Sequence, residues 1–113
     1  MEHNHEIQAT LRPQVAALRE LIPDTWAGFA QLHRSSMAPG ELDTATKDLI
    51  ALAISVVEGC DGCCAAHGRG AARHGAGRRQ VAEALGVTLL MDGGPASIYA
   101  PRALAAFDEF NTP

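Results

Sequence analysis

The chain has 113 residues, enough for one domain with one modest core, so a single domain over residues 1–113 is expected. Nine Lys and Arg against thirteen Asp and Glu give a net charge of −4, the wrong sign for a nucleic-acid binder. No apolar run reaches the roughly 20 residues that span a bilayer, and no segment reads as a secretory signal, so no membrane partner is expected. The three cysteines are clustered and odd in number, unlike a secreted disulfide scaffold, which places the chain in the reducing cytosol.

Taken in order, Met1 to Thr10 is polar and reads as a loose terminus, with no role assigned to His3 or His5. Leu11, Val15, Leu18 and Leu21 or Ile22 have helical spacing. Pro23 suits a first helical turn, and Trp26, Phe29, Ala30 and Leu32 carry a second helix that stops before Pro39-Gly40. Asp43 or Thr44 can cap a third helix from about Ala45 to Glu58. Its segment Leu49 to Val57 is apolar on nearly all sides, which predicts a central buried helix ended by Gly59.

Cys60 opens a fourth helix that ends at His74-Gly75. Gly68 and Gly70 lie within it at a cost of about 1 kcal/mol each relative to alanine, which points to a close neighbouring helix or a frayed end. A fifth helix covers about Arg78 to Met91. Gly93-Gly94-Pro95 reads as a turn, and a last helical stretch from Ala96 to Phe110 is expected to kink or restart at Pro101. Aromatic residues are few, so alanine and leucine must supply most of the packing. The expected fold is all-α, a bundle of about six helices.

The segment Glu58-Gly59-Cys60-Asp61-Gly62-Cys63-Cys64-Ala65-Ala66-His67 holds every cysteine of the chain. On a helix Cys60 and Cys63 are one turn apart, and Cys63 and His67 stand at i and i+4 on one face. A thiol beside an imidazole or a helix N-terminus gains thiolate character. Three readings fit this spacing: a redox dithiol, a zinc site, or small buried hydrophobes that happen to be cysteine. Successive helical residues differ by about 100° in direction, so these four side chains cannot surround one ion, and no second CxxC exists. No metal and no cofactor is therefore assigned. Cys64 reads as a packed small residue. His33 reads as a half-buried structural histidine. His74 reads as a cation favoured near a helix C-terminus. Arg69, Arg73, Arg78 and Arg79 read as a solvated face.

From Thr46 to about Leu90 the chain resembles the alkylhydroperoxidase D-like branch of the carboxymuconolactone decarboxylase superfamily. The residues that carry the resemblance are Lys47-Asp48-Leu49-Ile50-Ala51-Leu52-Ala53, Gly59-Cys60-x-x-Cys63-x-x-x-His67, Ala71-Ala72-Arg73-His74-Gly75 and Gln80-Val81-Ala82-Glu83-Ala84-Leu85. The resemblance implies a CxxC disulfide at a helix start, and a homo-oligomer: a dimer, a trimer or a hexamer. It implies reduction of a hydroperoxide, with electrons returned by a thioredoxin-like or lipoyl-type thiol donor. Carried across, Cys63 attacks the peroxide, Cys60 resolves the sulfenic acid and His67 relays protons. Asp48 stands where the family has a glutamate that helps activate the resolving cysteine, and Glu58 is the alternative acid. Gly62 stands where family peroxidases often carry a histidine. The other expectations are a lactone-ring enzyme of the superfamily's decarboxylase kind and a non-enzymatic thiol redox sensor.

Overall fold

A computed structural model of the chain describes residues 2–113. Met1 lies outside the described residues. Among the described residues six helices follow one another: α1 (His3–Leu21), α2 (Pro23–Met37), α3 (Thr44–Glu58), α4 (Asp61–Arg73), α5 (Arg78–Asp92) and α6 (Gly94–Phe110). There is no strand among the described residues, and no helix among them is long and apolar enough to cross a membrane.

The helix ends follow local chemistry. Asp43 caps α3, its carboxylate accepting from the Thr46 N–H at 2.8 Å. Gly59 ends α3 with φ of 64°, a left-handed conformation that glycine adopts without penalty. The chain then turns at once into α4, so α3 and α4 form a helical hairpin. A second hairpin, α5–α6, closes at Gly93. The α4 helix packs on α3, α6 and α1, whereas α2 touches the bundle weakly and buries no residue.

The core lies where α3, α4, α5 and α6 meet, around Leu52, Val56, Cys64, Val81, Leu85 and Phe107. Alanines fill the α6 side: Ala96, Ala100, Ala103 and Ala106 are all buried. Gly68 sets the closest approach. A Cβ there would lie 3.0 Å from the Ala106 Cβ and 3.0 Å from the Phe107 backbone nitrogen. The glycine expected to mark a close helix crossing does so, against α6.

Three expectations change. The polar start of the chain is helical from His3, because α6 supplies its cap. The Glu109 carboxylate accepts from the Asn4 N–H (3.1 Å) and the His5 N–H (2.7 Å), free donors of the first helical turn, and from the Asn4 side-chain Nδ2 (3.0 Å). Burial alone would push the Glu109 carboxyl up, but these bonds and the His5 ring hold it at about 2. The α6 helix starts at Gly94 and runs unbroken through Pro101. Packing of Ala100 and Ala103 on the core outweighs the one backbone bond that Pro101 forgoes. Finally, α3 is buried on one face only. Asp48, Leu52, Ser55 and Val56 point inward, while Ile50, Ile54 (52% exposed) and Val57 face outward. A domain this small has too few elements to cover a helix that is apolar all round.

Two outcomes follow from the packing. Gly68→Ala should destabilise the fold by about 1–3 kcal/mol, since its methyl forces α4 and α6 apart. Gly28→Ala, with nothing within 4 Å, should instead stabilise by about 0.4–1 kcal/mol. Urea titrations of both variants check the opposite signs. The Glu109 carboxyl lies below its ordinary 4.5, so its contribution to stability is complete above that pH and is lost as pH falls toward about 2. Melting curves from pH 6 to pH 2 should show this loss, and Glu109→Gln should flatten it.

Candidate active site

The site is built on the α3–α4 hairpin. Cys60 is the residue just before α4, and its Sγ accepts from the Cys63 N–H at 3.2 Å. Cys60 and Cys63 form a disulfide with a Cα–Cα distance of 5.2 Å. The pair therefore sits on the free N–H groups and the positive dipole end of α4, an environment that favours thiolate over thiol after reduction. Both residues are half-buried.

Cys64 lies apart from them. It is 1% exposed and belongs to the core cluster, and burial, with a smaller contribution from Asp61, pushes its thiol up to about 11. At neutral pH it stays protonated and unreactive, as its reading as a packed residue requires.

His67 follows Cys63 by one turn on the same face of α4, with its side chain 24% exposed. Burial lowers its pKa below the ordinary 6.5; Asp48 pulls the other way, and His33 from α2 adds to the lowering. The imidazole is thus neutral at pH 7 and able to accept a proton. His33 itself is exposed.

Asp48 arrives from α3, across the hairpin. It is 3% exposed. Its Oδ1 stands 3.9 Å from His67 Nδ1, and its Oδ2 stands 2.6 Å from His74 Nδ1. The carboxylate lies flat on Gly70: a Cβ at that position would be 2.5 Å from Oδ1. Lys47, the sequence neighbour of Asp48, donates to the Ala38 carbonyl at 2.6 Å. Of the two candidate acids, the fold brings Asp48 to His67. Glu58 ends α3 on the exposed surface and makes no hydrogen bond or ion pair among the described residues.

Sequence reading missed the contact between His74 and Asp48. The signal was present, since His67, Gly70 and His74 are spaced i, i+3 and i+7, with His74 the capping residue just past α4. The helix C-terminus offered a simpler explanation for a histidine. Gly62 also gains a reason. A Cβ there would stand 3.1 Å from Leu11 Cδ1, so α1 occupies the space over the middle of the CxxC.

Two of the arginines on α4 and α5 have partners within the chain. Arg69 donates to Gln8 at 2.8 Å and stacks on Phe110, and Arg78 makes a bidentate pair with Asp108. Among the described residues, one trio of ligand-type side chains has its ligating atoms within 4.8 Å of one another: Glu2, His5 and Glu109. The Glu109 carboxylate is already engaged as the α1 cap, so this trio reads as helix capping.

Residues 23–107 match the model of the carboxymuconolactone decarboxylase family. An uncharacterised protein of Cupriavidus necator is 41% identical over 98 residues, covering 87% of each chain. A carboxymuconolactone decarboxylase family protein of Legionella pneumophila has a solved structure that superposes with a TM-score of 0.95 at 35% identity, over 99% of this chain and 100% of that one. A family member from Thermotoga maritima, for which an involvement in antioxidative response is suggested, superposes with a TM-score of 0.69 at 31% identity, over 84% of this chain and 86% of that one. The six-helix fold, the matched span and the CxxCxxxH sequence together make this chain a member of the carboxymuconolactone decarboxylase family.

Proposed function

We propose that the chain is a subunit of a thiol-dependent hydroperoxide reductase, cycling Cys60 and Cys63 between dithiol and disulfide in a reducing cytosol. The observation that carries this reading is the Cys60–Cys63 pair at the head of α4 with neutral His67 one turn on and Asp48 behind it.

The chemistry balances on these residues. His67 takes the Cys63 proton. The Cys63 thiolate attacks the hydroperoxide oxygen distal to carbon; the S–O bond forms, the O–O bond breaks, and the alkoxide leaves with the proton from His67. Cys63 is now a sulfenic acid. The Cys60 sulfur attacks it, hydroxide leaves with the Cys60 proton as water, and the disulfide closes. Two electrons have passed from the dithiol to the peroxide. A thioredoxin-like or lipoyl-type dithiol returns them by thiol–disulfide exchange.

The surface supports a homo-oligomer of these subunits. Ile54, Val57, Val87 and Met91 line an open apolar groove of about 280 Å³ between α3 and α5, and Leu90 beside it is 82% exposed. Phe29 and Leu32 of α2 are also uncovered. Contiguous apolar surface on a small chain marks an interface. Light scattering should give a multiple of 11.9 kDa, and Ile54→Lys with Val87→Lys should lower that multiple. A wild-type monomer at micromolar concentration would exclude the assembly.

Turnover of a hydroperoxide panel with several dithiol donors tests the activity. Cys63→Ser should abolish peroxide consumption, and Cys60→Ser should stop after one oxidation with a trapped sulfenic acid. Cys64→Ser should keep turnover within about twofold, because its thiol is buried and protonated. His67→Gln should slow turnover by about 10²–10⁴. A redox sensor would oxidise once without turnover, and a ring decarboxylase would ignore thiol blocking; either result would replace the peroxidase reading.

A further inference from the structure

Asp48 is a carboxylate buried in the α3–α4 hairpin, and a buried carboxylate is costly unless it is hydrogen-bonded. Among the described residues, one hydrogen bond reaches it, from His74 Nδ1 to Oδ2 at 2.6 Å. Gly70 blocks no approach but leaves no slack, since Oδ1 already occupies the space its Cβ would take. With Oδ2 tied to His74, the other oxygen is the one that faces His67, at 3.9 Å. A shift of about 1 Å would bring that pair to bonding distance. His67 lies within α4 and His74 is the residue that caps its C-terminus, seven positions on, so both imidazoles reach the carboxylate from the same helix and its end.

We propose that His74 is a positioning residue for the dithiol centre: its ring N–H holds Asp48 Oδ2 and so aims the free carboxylate oxygen at His67. The role rests on the peroxidase reading only in that His67 serves Cys63 there. It follows from three side chains and a glycine, and it needs no bound ligand.

The physical consequence is specific. Without the His74 donor, the buried Asp48 carboxylate loses the hydrogen bond that fixes its orientation. A carboxylate that is no longer aimed at His67 pulls on it less. Asp48 raises the proton affinity of His67 against its burial, so losing that pull lowers it further. The groups acting on His67 are Asp48 from α3 and His33 from α2; His74 reaches it through Asp48. The Lys47 ammonium is held away at the Ala38 carbonyl. His74 is itself 47% exposed on its side chain, so the anchor is open to solvent while the carboxylate is not.

The test is a histidine titration by NMR on the intact oligomer or monomer as purified, combined with turnover. His74→Ala and Asp48→Asn should both move the His67 midpoint down. His74→Asn, which offers an amide N–H to the same oxygen, should hold it near the wild-type value. Hydroperoxide turnover should fall about 10- to 100-fold in His74→Ala and recover to within a few-fold in His74→Asn. A His67 midpoint unchanged in His74→Ala would overturn the proposal. So would a His74→Asn variant that melts like wild type yet shows the His74→Ala midpoint. If the wild type reduces no hydroperoxide, the peroxidase reading fails while the titration still decides the role of His74.

Discussion

One buried charge organises this protein. Asp48 sits inside the α3–α4 hairpin with almost no solvent contact, and every element near it is arranged to accept it. Gly70 provides the clearance, His74 provides the hydrogen bond, and His67 receives its field. A carboxylate in that place without those neighbours would be buried with no hydrogen-bond partner, which is costly. With them, α3 and α4 are fixed relative to each other in a register that also fixes the cysteine pair against the imidazole.

The remaining bundle reads as support for that hairpin. The α6 helix lies close on α4 because Gly68 meets Ala106 and Phe107 with no side chain between them. Its far end supplies Glu109, whose carboxylate caps α1, and α1 in turn lays Leu11 over Gly62. A chain of contacts thus runs from the C-terminal helix through the N-terminal one to the middle of the CxxC. The two ends of the sequence shape the surroundings of a motif that neither contains.

The same CxxC segment shows how environment separates chemically identical side chains. Cys60 and Cys63 lie at the helix head, joined and half-buried. Cys64, the next residue, is turned about 100° into the core, and burial pushes its thiol up to about 11. Reactivity here is decided by one residue of helical phase. The outward apolar faces of α3, α5 and α2 remain open.

Much of this was legible in the residues themselves. Helical periodicity, the Pro23 and Asp43 starts and the Gly59 stop located the helices, because caps and breakers act over three or four residues. The spacing of Cys60, Cys63 and His67 placed the dithiol and its base on one face, since a helix converts spacing into direction. Local rules could not see contacts between distant residues. They left Met1 to Thr10 loose because the cap, Glu109, is more than a hundred residues away. They gave His74 to the helix end because Asp48 is 26 residues upstream, and the family resemblance named Asp48 with Glu58 as the alternative acid. Which acid reaches the histidine, which glycine makes room for it and which thiol is buried were settled by how α3, α4 and α6 pack, for burial and electrostatic contact belong to the assembled bundle.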